Sequence, residues 1–390
     1  NTEVGVVWVT FDPSTGTPGA ATQTIYVGTA QNGDGLPSIF RTTDGGDNWE
    51  ALPGQPVSDV AGNIVTMTGG TTWDMTALGD DGQPANPTTG LLPKQGKLDS
   101  EGTLYLTYSN WAGPYRGNIG DVWKYVPSTE TWTRITPQNT ADPWWGYGGL
   151  GVDMQHPGTL VVAGVNSWWP DGVMFRTTDG GATWLPLWEW GAYPEIIAHF
   201  DMDVSSAPWL SLDPEAFTAP DKPLKIGWMM EGLNIDPFNA DHMMYGTGAT
   251  LYEVNNLSDW DSGGTVHIAS AGRGIEETSV LGLVSPQEGA HLASAVGDVG
   301  GWVHTDLDTA PALNYRTPDS GTNNDIDFAA DVPATMVRVG AGFAITYDGG
   351  ATWNRSWATL PGTAGQVAIN TDGSRIVWAP GDGAVSVSVN

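Results

Sequence analysis

The sequence predicts an all-β fold assembled from β-propeller blades, and three observations carry that expectation. The first is an eight-residue near-repeat: Thr42-Thr-Asp-Gly-Gly-Asp-Asn-Trp49, Thr177-Thr-Asp-Gly-Gly-Ala-Thr-Trp184 and Thr346-Tyr-Asp-Gly-Gly-Ala-Thr-Trp353. Each copy follows a short apolar run, Ser38-Ile-Phe, Val173-Met-Phe or Phe343-Ala-Ile. A strand, an acidic glycine turn and a tryptophan opening the next strand describe a hairpin with an aromatic plug. The second is a shared piece upstream of the hairpins: an apolar residue, an Asp, a turn, then an apolar strand ending in Gly. Its copies are Phe11-Asp12-Pro13 to Gly28, Val152-Asp153 to Gly164, Ile235-Asp236-Pro237 to Gly246 and Ile326-Asp327 to Gly340. The third is composition. With Gly 53, Pro 27 and only 15% charged residues, the chain has turn formers in excess and few of the residues long helices need.

Each unit therefore reads strand, strand, strand, turn, strand. Weaker copies keep the strand and the tryptophan at Val122 to Trp132 and at Leu251 to Trp260. Another begins at Val367-Ala-Ile-Asn370 and runs to Ile376-Val-Trp378. The plugs fall at Trp49, Trp132, Trp184, Trp260 and Trp353, and one more unit is expected around Val296 to Val303. Units of about 60 residues fit four-stranded blades with long loops on one face. A blade cannot bury both faces alone, so it stacks on its neighbours. Asp44, Asp179 and Asp348 are expected to bond amides of their own turns, with Gly-Gly supplying the positive φ. They recur at equivalent places around a ring, whereas a catalytic site is unique, so they belong to the scaffold.

At 390 residues the chain is long enough for one large β-domain or two. Its formal charge of −30 repels nucleic acid and anionic membranes and suits a neutral ligand. Cys 0 excludes disulfides, thiolate nucleophiles and cysteine metal sites. No apolar run approaches the ~20 residues of a membrane-spanning helix. The 6 histidines show no zinc-ligand spacing, and no phosphate-cradling loop is present, so no cofactor and no metal are expected. Asp319, Asn323, Asp325 and Asp327 read as an acidic turn, solvated rather than calcium-binding. Twenty tryptophans exceed what the plugs consume. The doublets Trp144-Trp145 and Trp168-Trp169 are hard to bury as pairs, because neighbours on a strand point to opposite faces.

The repeated turn is the Asp-box, shared by sialidases, sortilin-like receptors and some glycosidases. The stretches between the boxes are more specific. In order they are Leu104-Tyr-Leu-Thr-Tyr-Ser-Asn110, Gly113-Pro-Tyr, Gly120-Asp-Val-Trp-Lys-Tyr125, Gly148-Gly-Leu-Gly-Val-Asp153 and Asn166-Ser-Trp-Trp-Pro-Asp171. Then come Ile226-Gly-Trp-Met-Met-Glu231, Asp236-Pro-Phe, Tyr245-Gly-Thr-Gly-Ala-Thr250, Gly274-Ile-Glu-Glu-Thr278 and Ala295-Val-Gly-Asp-Val-Gly-Gly301. Together they resemble the xyloglucanases of glycoside hydrolase family 74 over essentially the whole chain. The resemblance implies tandem seven-bladed propellers facing each other across a cleft, with residues 1–270 in the first and 271–390 opening the second. It implies that the chain starts inside the first ring and stops inside the second, with a second chain or fragment supplying the other blades. It also implies a secreted, inverting endo-β-1,4-glucanase acting on plant cell-wall xyloglucan. A chain-end-specific cellobiohydrolase and a non-catalytic glycan-binding propeller are the alternatives.

Inversion at a glycosidic bond uses two carboxyls roughly 6.5–9.5 Å apart, one protonating the leaving oxygen and one activating water. By resemblance the acid is Asp298, in Gly297-Asp-Val-Gly-Gly301. The residues also set it apart: it keeps an Asp-x-Gly turn but lacks the flanking threonines and the plug. Val296, Val299 and Trp302 beside it are expected to desolvate the carboxyl, which would raise its pKa. The family's base lies in a turn of the first blade, and no second irregular Asp-Gly-Gly turn replaces it here. Asp121 reads as a structural turn and Glu231 as a buried structural carboxylate. Sugar rings stack on aromatic faces. Trp168 and Trp169, where the family places its positive-subsite platform, are the leading candidates, followed by Trp111, Tyr115 and Trp145 in Gly/Pro-rich loops.

Overall fold

The computed structural model describes residues 5–30, 37–58, 64–68, 72–74, 91–111, 114, 117–137, 145–210, 218–275, 277–311, 313–315, 321–355 and 362–389. They fall into two compact units, Asn1–Asp203 with Ala219–Ala271, and Val204–Thr218 with Gly272–Asn390.

In the first unit the repeats become antiparallel meanders. One sheet is built from Val6–Phe11, Ile25–Thr29, Ile39–Thr42 and Glu50–Ala51. A second comprises Leu92–Leu98, Leu104–Ser109, Val122–Val126 and Thr131–Arg134, and a third Tyr147–Val152, Leu160–Gly164, Met174–Thr177 and Leu185–Pro186. A further sheet runs Leu233–Asp236, Asn239–Gly246, Leu251–Val254 and Val266–Ser270, and Phe200–Asp203 joins its outer edge in parallel. Pro56–Ser58, Ile64–Thr68 and Thr72–Asp74 form a short sheet of their own. The opening strands of the four main meanders lie side by side in chain order. This is blade stacking, and glycine makes it close. Trp8 crosses to the next blade, where a side chain at Gly96 would sit 2.5 Å from its ring. Each interface then buries a long apolar row, such as Leu104, Leu106, Tyr108 and Trp123 in one and Leu150, Leu160, Val162 and Phe175 in the next.

The second unit repeats the pattern. Its sheets are Val280–Val284, Leu292–Val296 and Val303–His304; Asn323–Phe328, Met336–Gly340, Phe343–Thr346 and Asn354–Arg355; and Gln366–Ile369, Arg375–Ala379 and Ser386–Val389. The unit expected around Val296 to Val303 is thus present as a sheet. Buried Arg338 is sandwiched between the rings of Tyr315 and Trp353, each 4.8 Å away.

The box turns behave as scaffold. In each, the threonine hydroxyl donates to the aspartate: Thr42 to Asp44 at 2.6 Å, Thr177 to Asp179 at 2.7 Å and Thr346 to Asp348 at 2.7 Å. The same threonine oxygen accepts the second glycine's N–H, at 3.0, 3.1 and 2.9 Å. The aspartate also accepts the amide four residues on, from Asn48, Thr183 or Thr352. Side-chain bonds from Thr183 and Thr352, with those amides, hold the Asp179 and Asp348 carboxyls down at about 2. At Gly181, with φ +87, a side chain would meet Ile135 of the preceding blade at 2.5 Å. The second glycine therefore serves the turn and the blade interface together.

Three plug indoles reach across as hydrogen-bond staples. Trp132 donates to the Pro53 carbonyl at 3.0 Å, Trp184 to Ile135 at 2.8 Å and Trp260 to Pro186 at 3.3 Å. Two expectations about plugs are corrected. Trp49 is exposed and donates to Gly46 of its own turn instead of filling an interface. Trp260 lies on the 3-10 helix Leu257–Ser262, not at a strand start, although its ring is buried as a plug should be. The acidic turn is corrected as well. Asn323, Asp325 and Asp327 lie on the strand Asn323–Phe328, and Asp325 and Asp327 accept the Val367 and Ile369 amides of the next blade at 2.9 and 2.8 Å. Residues two apart on a strand project to one face, where Asp325 and Asp327 serve as stacking contacts. Asp319 lies outside the described residues.

Candidate functional site

Trp168 and Trp169 crown the loop between Leu160–Gly164 and Met174–Thr177, and they are 40% and 43% exposed. The loop beneath them is tied down. The Ser167 hydroxyl donates to the Asp171 carbonyl at 2.7 Å, and the Trp168 indole N–H donates to Asn166 at 3.0 Å. The Asp171 carboxylate is wholly buried and accepts the amides of Gly172 at 2.7 Å and Ile226 at 3.0 Å. Burial pushes this carboxyl up to about 7, against the pull of those amides and of Lys225. Lys225 in turn donates to the Trp168 carbonyl at 3.0 Å and pairs with Asp221 at 2.5 Å.

The segment Ile226 to Glu231 forms the other half of the platform. The Trp228 ring stacks on Trp168, with centroids 5.4 Å apart and planes 23° apart. Trp228 is itself wedged against Gly248, where a side chain would sit 2.3 Å from the indole nitrogen. Sequence reasoning missed both Asp171 and Trp228. The signal for Asp171 was available, since it ends the Trp-Trp-Pro-Asp run. Trp228 needed the tertiary pairing of two loops 60 residues apart in sequence (Trp168 and Trp228) to become visible.

The remaining candidates divide. Trp111, just after Leu104–Ser109, is exposed, as a ligand-facing ring must be. Tyr115 lies outside the described residues, as does Trp144. Trp145 is corrected: at 9% exposure it belongs to the core with Tyr147 and Val173. Its ring occupies the space left by Gly164, where a side chain would come within 3.1 Å of the indole. Asp121 is structural as expected, buried and accepting from Arg134 at 2.7 Å and Thr136 at 2.8 Å. Glu231 is half-buried and pairs with buried Lys94 at 2.5 Å.

Asp298 lies in the second unit, in the turn that joins Leu292–Val296 to Val303–His304. Its φ of +61 is the left-handed conformation that L side chains rarely adopt. Three bonds impose it. The Asp298 amide donates to the Thr322 hydroxyl at 2.9 Å, the Gly297 amide to the Ser279 carbonyl at 2.8 Å, and Asn314 to the Val299 carbonyl at 3.0 Å. A constrained, non-glycine residue at a turn that lacks box threonines is the kind of site where strain and function coincide. The expected apolar enclosure is corrected, because Asp298 is exposed while Val296 is buried in the sheet behind it. Trp302 nearby packs edge-on against Trp209 at 6.3 Å and His304 at 6.4 Å. Among the described residues no group of three or more His, Asp or Glu side chains could hold a metal, and no helix is long and apolar enough to cross a membrane.

Fold and site together define an Asp-box β-propeller protein with an exposed aromatic platform in one unit and a strained, unboxed aspartate turn in the other. The comparisons with known proteins agree with the fold. The chain is 46% identical over 399 aligned residues to a xyloglucanase of Paenibacillus sp, covering 99% of this chain and 35% of that protein. To the xyloglucanase Xgh74A of Acetivibrio thermocellus it is 42% identical, covering 99% of this chain and 43% of the relative. Among solved structures it superposes on the GH74 xyloglucanase of Xanthomonas campestris with a TM-score of 0.78 and 29% identity, covering 99% of this chain and 48% of that one. No protein-family model matches the chain. The chain is thus similar over 99% of its own length to xyloglucanases, a solved GH74 xyloglucanase among them, and it spans less than half the length of these relatives.

Proposed function

We propose that this chain carries the sugar platform and the general acid of a secreted xyloglucan-specific endo-β-1,4-glucanase that acts with inversion. The observation that carries the reading is the anchored, exposed Trp168–Trp169 platform, in a chain that also holds the strained Asp298 turn and is 46% identical to a protein named a xyloglucanase. On this reading glucosyl rings lay their C–H faces on the Trp168 and Trp169 indoles while hydroxyls bond the surrounding polar edges. Asp298, held by Thr322, donates its proton to the glycosidic oxygen. The second carboxylate, which activates the attacking water, is proposed to lie in sequence outside residues 1–390.

The test is reducing-end release from xyloglucan by the longest natural polypeptide containing these residues, compared with its Asp298→Asn variant. The variant should lose hydrolysis by at least about a hundredfold, the scale of a lost general acid, while still binding the polymer. Equal rates would overturn the assignment. Hydrolysis by residues 1–390 alone, abolished by Asp298→Asn, would overturn the external base. A fall in viscosity that precedes reducing-end release would support internal attack, and the reverse order would favour chain-end attack.

A further inference from the structure

We propose that Trp190 and Tyr193 form an additional glucan-binding subsite that prolongs the platform beyond Trp169. The inference rests on the platform reading above. Neither residue belongs to a repeat, and neither is used by the box scaffold. Both lie on the hairpin Trp188–Trp190 with Ile196–Ala198. Trp190 is 39% exposed and Tyr193, at the tip, is 73% exposed. The Trp169 and Trp190 centroids are 5.9 Å apart at 43°, and those of Trp190 and Tyr193 are 6.0 Å apart at 39°. Three solvent-facing rings thus run on from one another, starting at the platform.

Single exposed aromatics are ordinary, but a contiguous run of them marks a ligand surface. The run is also rigidly propped. Trp188 lies under Trp190, edge-on at 5.6 Å and 85°, and its indole N–H donates to the Gly172 carbonyl at 2.6 Å. The tip is closed by the Gly191 amide donating to Glu195 at 3.1 Å. Positions held this way before binding lose little entropy when a ligand arrives.

Charge selects the ligand. Residues 188–198 contain Glu189 and Glu195 but no Lys or Arg, and the whole chain carries −30. A phosphate, nucleic acid or anionic headgroup would be repelled. A neutral, polyhydroxylated chain suits both features, with C–H faces for the rings and hydroxyls for the two carboxylates. The occupant is therefore the stretch of β-glucan that continues past Trp169, and the subsite favours long chains over short ones.

The experiment compares the 390-residue chain with Trp190→Ala, Tyr193→Ala, Trp190→Phe and Trp169→Ala. Affinity electrophoresis in xyloglucan gels reads polymer binding, and calorimetry reads xyloglucan heptasaccharide binding. Trp190→Ala and Tyr193→Ala should each weaken polymer binding about fivefold, the scale of one aromatic stacking contact, and leave the heptasaccharide within about twofold. Trp190→Phe should retain polymer binding, which separates a lost ring from a disturbed hairpin, and Tyr193 is too exposed to affect folding. Trp169→Ala should weaken both ligands. If the two alanine variants bind polymer like the parent while Trp169→Ala does not, the subsite is overturned and the platform stands. If the parent chain binds neither glucan, the platform reading fails and this inference with it. A change in self-association, seen by sedimentation, with glucan binding unaltered would make the run a protein contact and overturn the subsite.

Discussion

Asp171→Asn offers the sharpest physical test of the structure, because one buried carboxyl supports the whole Trp168–Trp169 loop. Its folded pKa is about 7 against an ordinary 3.8, and burial is the main cause. The sign follows from which state binds more protons. Between those two values the folded chain keeps the Asp171 proton and the unfolded chain has released it. Stability therefore falls as pH rises across that window. A tenfold difference in proton affinity between the two states corresponds to about 1.4 kcal/mol. From pH 5 to pH 8 this one group should cost the folded unit about 2–3 kcal/mol, obtained by integrating between the two pKa values. Asparagine mimics the protonated carboxyl, and its oxygen can still accept the Gly172 and Ile226 amides. The assay is urea unfolding of both proteins at pH 5 and pH 8. All other titrating groups are common to both and cancel in the double difference. The variant should gain about 2–3 kcal/mol on the parent between the two pH values. An unchanged double difference would refute the account of Asp171 as a buried, proton-retaining anchor.

Four further outcomes follow from the same geometry. Thr322→Val removes the hydroxyl that accepts the Asp298 amide at 2.9 Å; kcat on xyloglucan should fall with KM little changed, Thr322→Ser should restore it, and an unaltered kcat would exclude a positioning role. Trp260→Phe keeps the buried ring but loses the bond to Pro186, and denaturant unfolding should show a loss of about 1 kcal/mol. Trp145→Ala should destabilise the chain by about 3–5 kcal/mol as a core truncation, and the remaining folded protein should bind glucan normally; selective loss of glucan binding with intact stability would restore Trp145 as a sugar platform. The Asp179 and Asp348 carboxyls, held at about 2 by their turns, stabilise above the ordinary carboxylate range, and that contribution disappears as pH falls towards 2. Replacing both with Asn should flatten the acid limb of a melting-temperature profile and leave the neutral region's slope alone.

Much of this protein is written locally. A turn needs only its own threonine, aspartate and glycines, so Thr42 to Trp49, Thr177 to Trp184 and Thr346 to Trp353 announce blades wherever they occur. Strand identity and blade order followed from the same short-range rules, and so did the separation of three scaffold aspartates from the one at position 298. The strain at Asp298 was hinted at only by its missing threonines. Its φ of +61 is imposed by Ser279, Asn314 and Thr322, which are distant in sequence.

What the chain alone left open is which side of a side chain meets water. Trp145 and Trp168 share a local signature, each belonging to a tryptophan doublet in a Gly/Pro-rich loop. One fills the space beside Gly164 in the core, and the other stacks on Trp228 at the surface. Asp325 and Asp327 likewise look like a solvated turn until the next blade presents amides to them. Burial and partner choice are settled by blade-on-blade stacking, a long-range packing term that no eight-residue window contains. The sequence determined the repeating scaffold because turn chemistry acts within a few residues. The tertiary structure decided the platform because aromatic faces become a site only when neighbouring loops leave them uncovered and hold them in line.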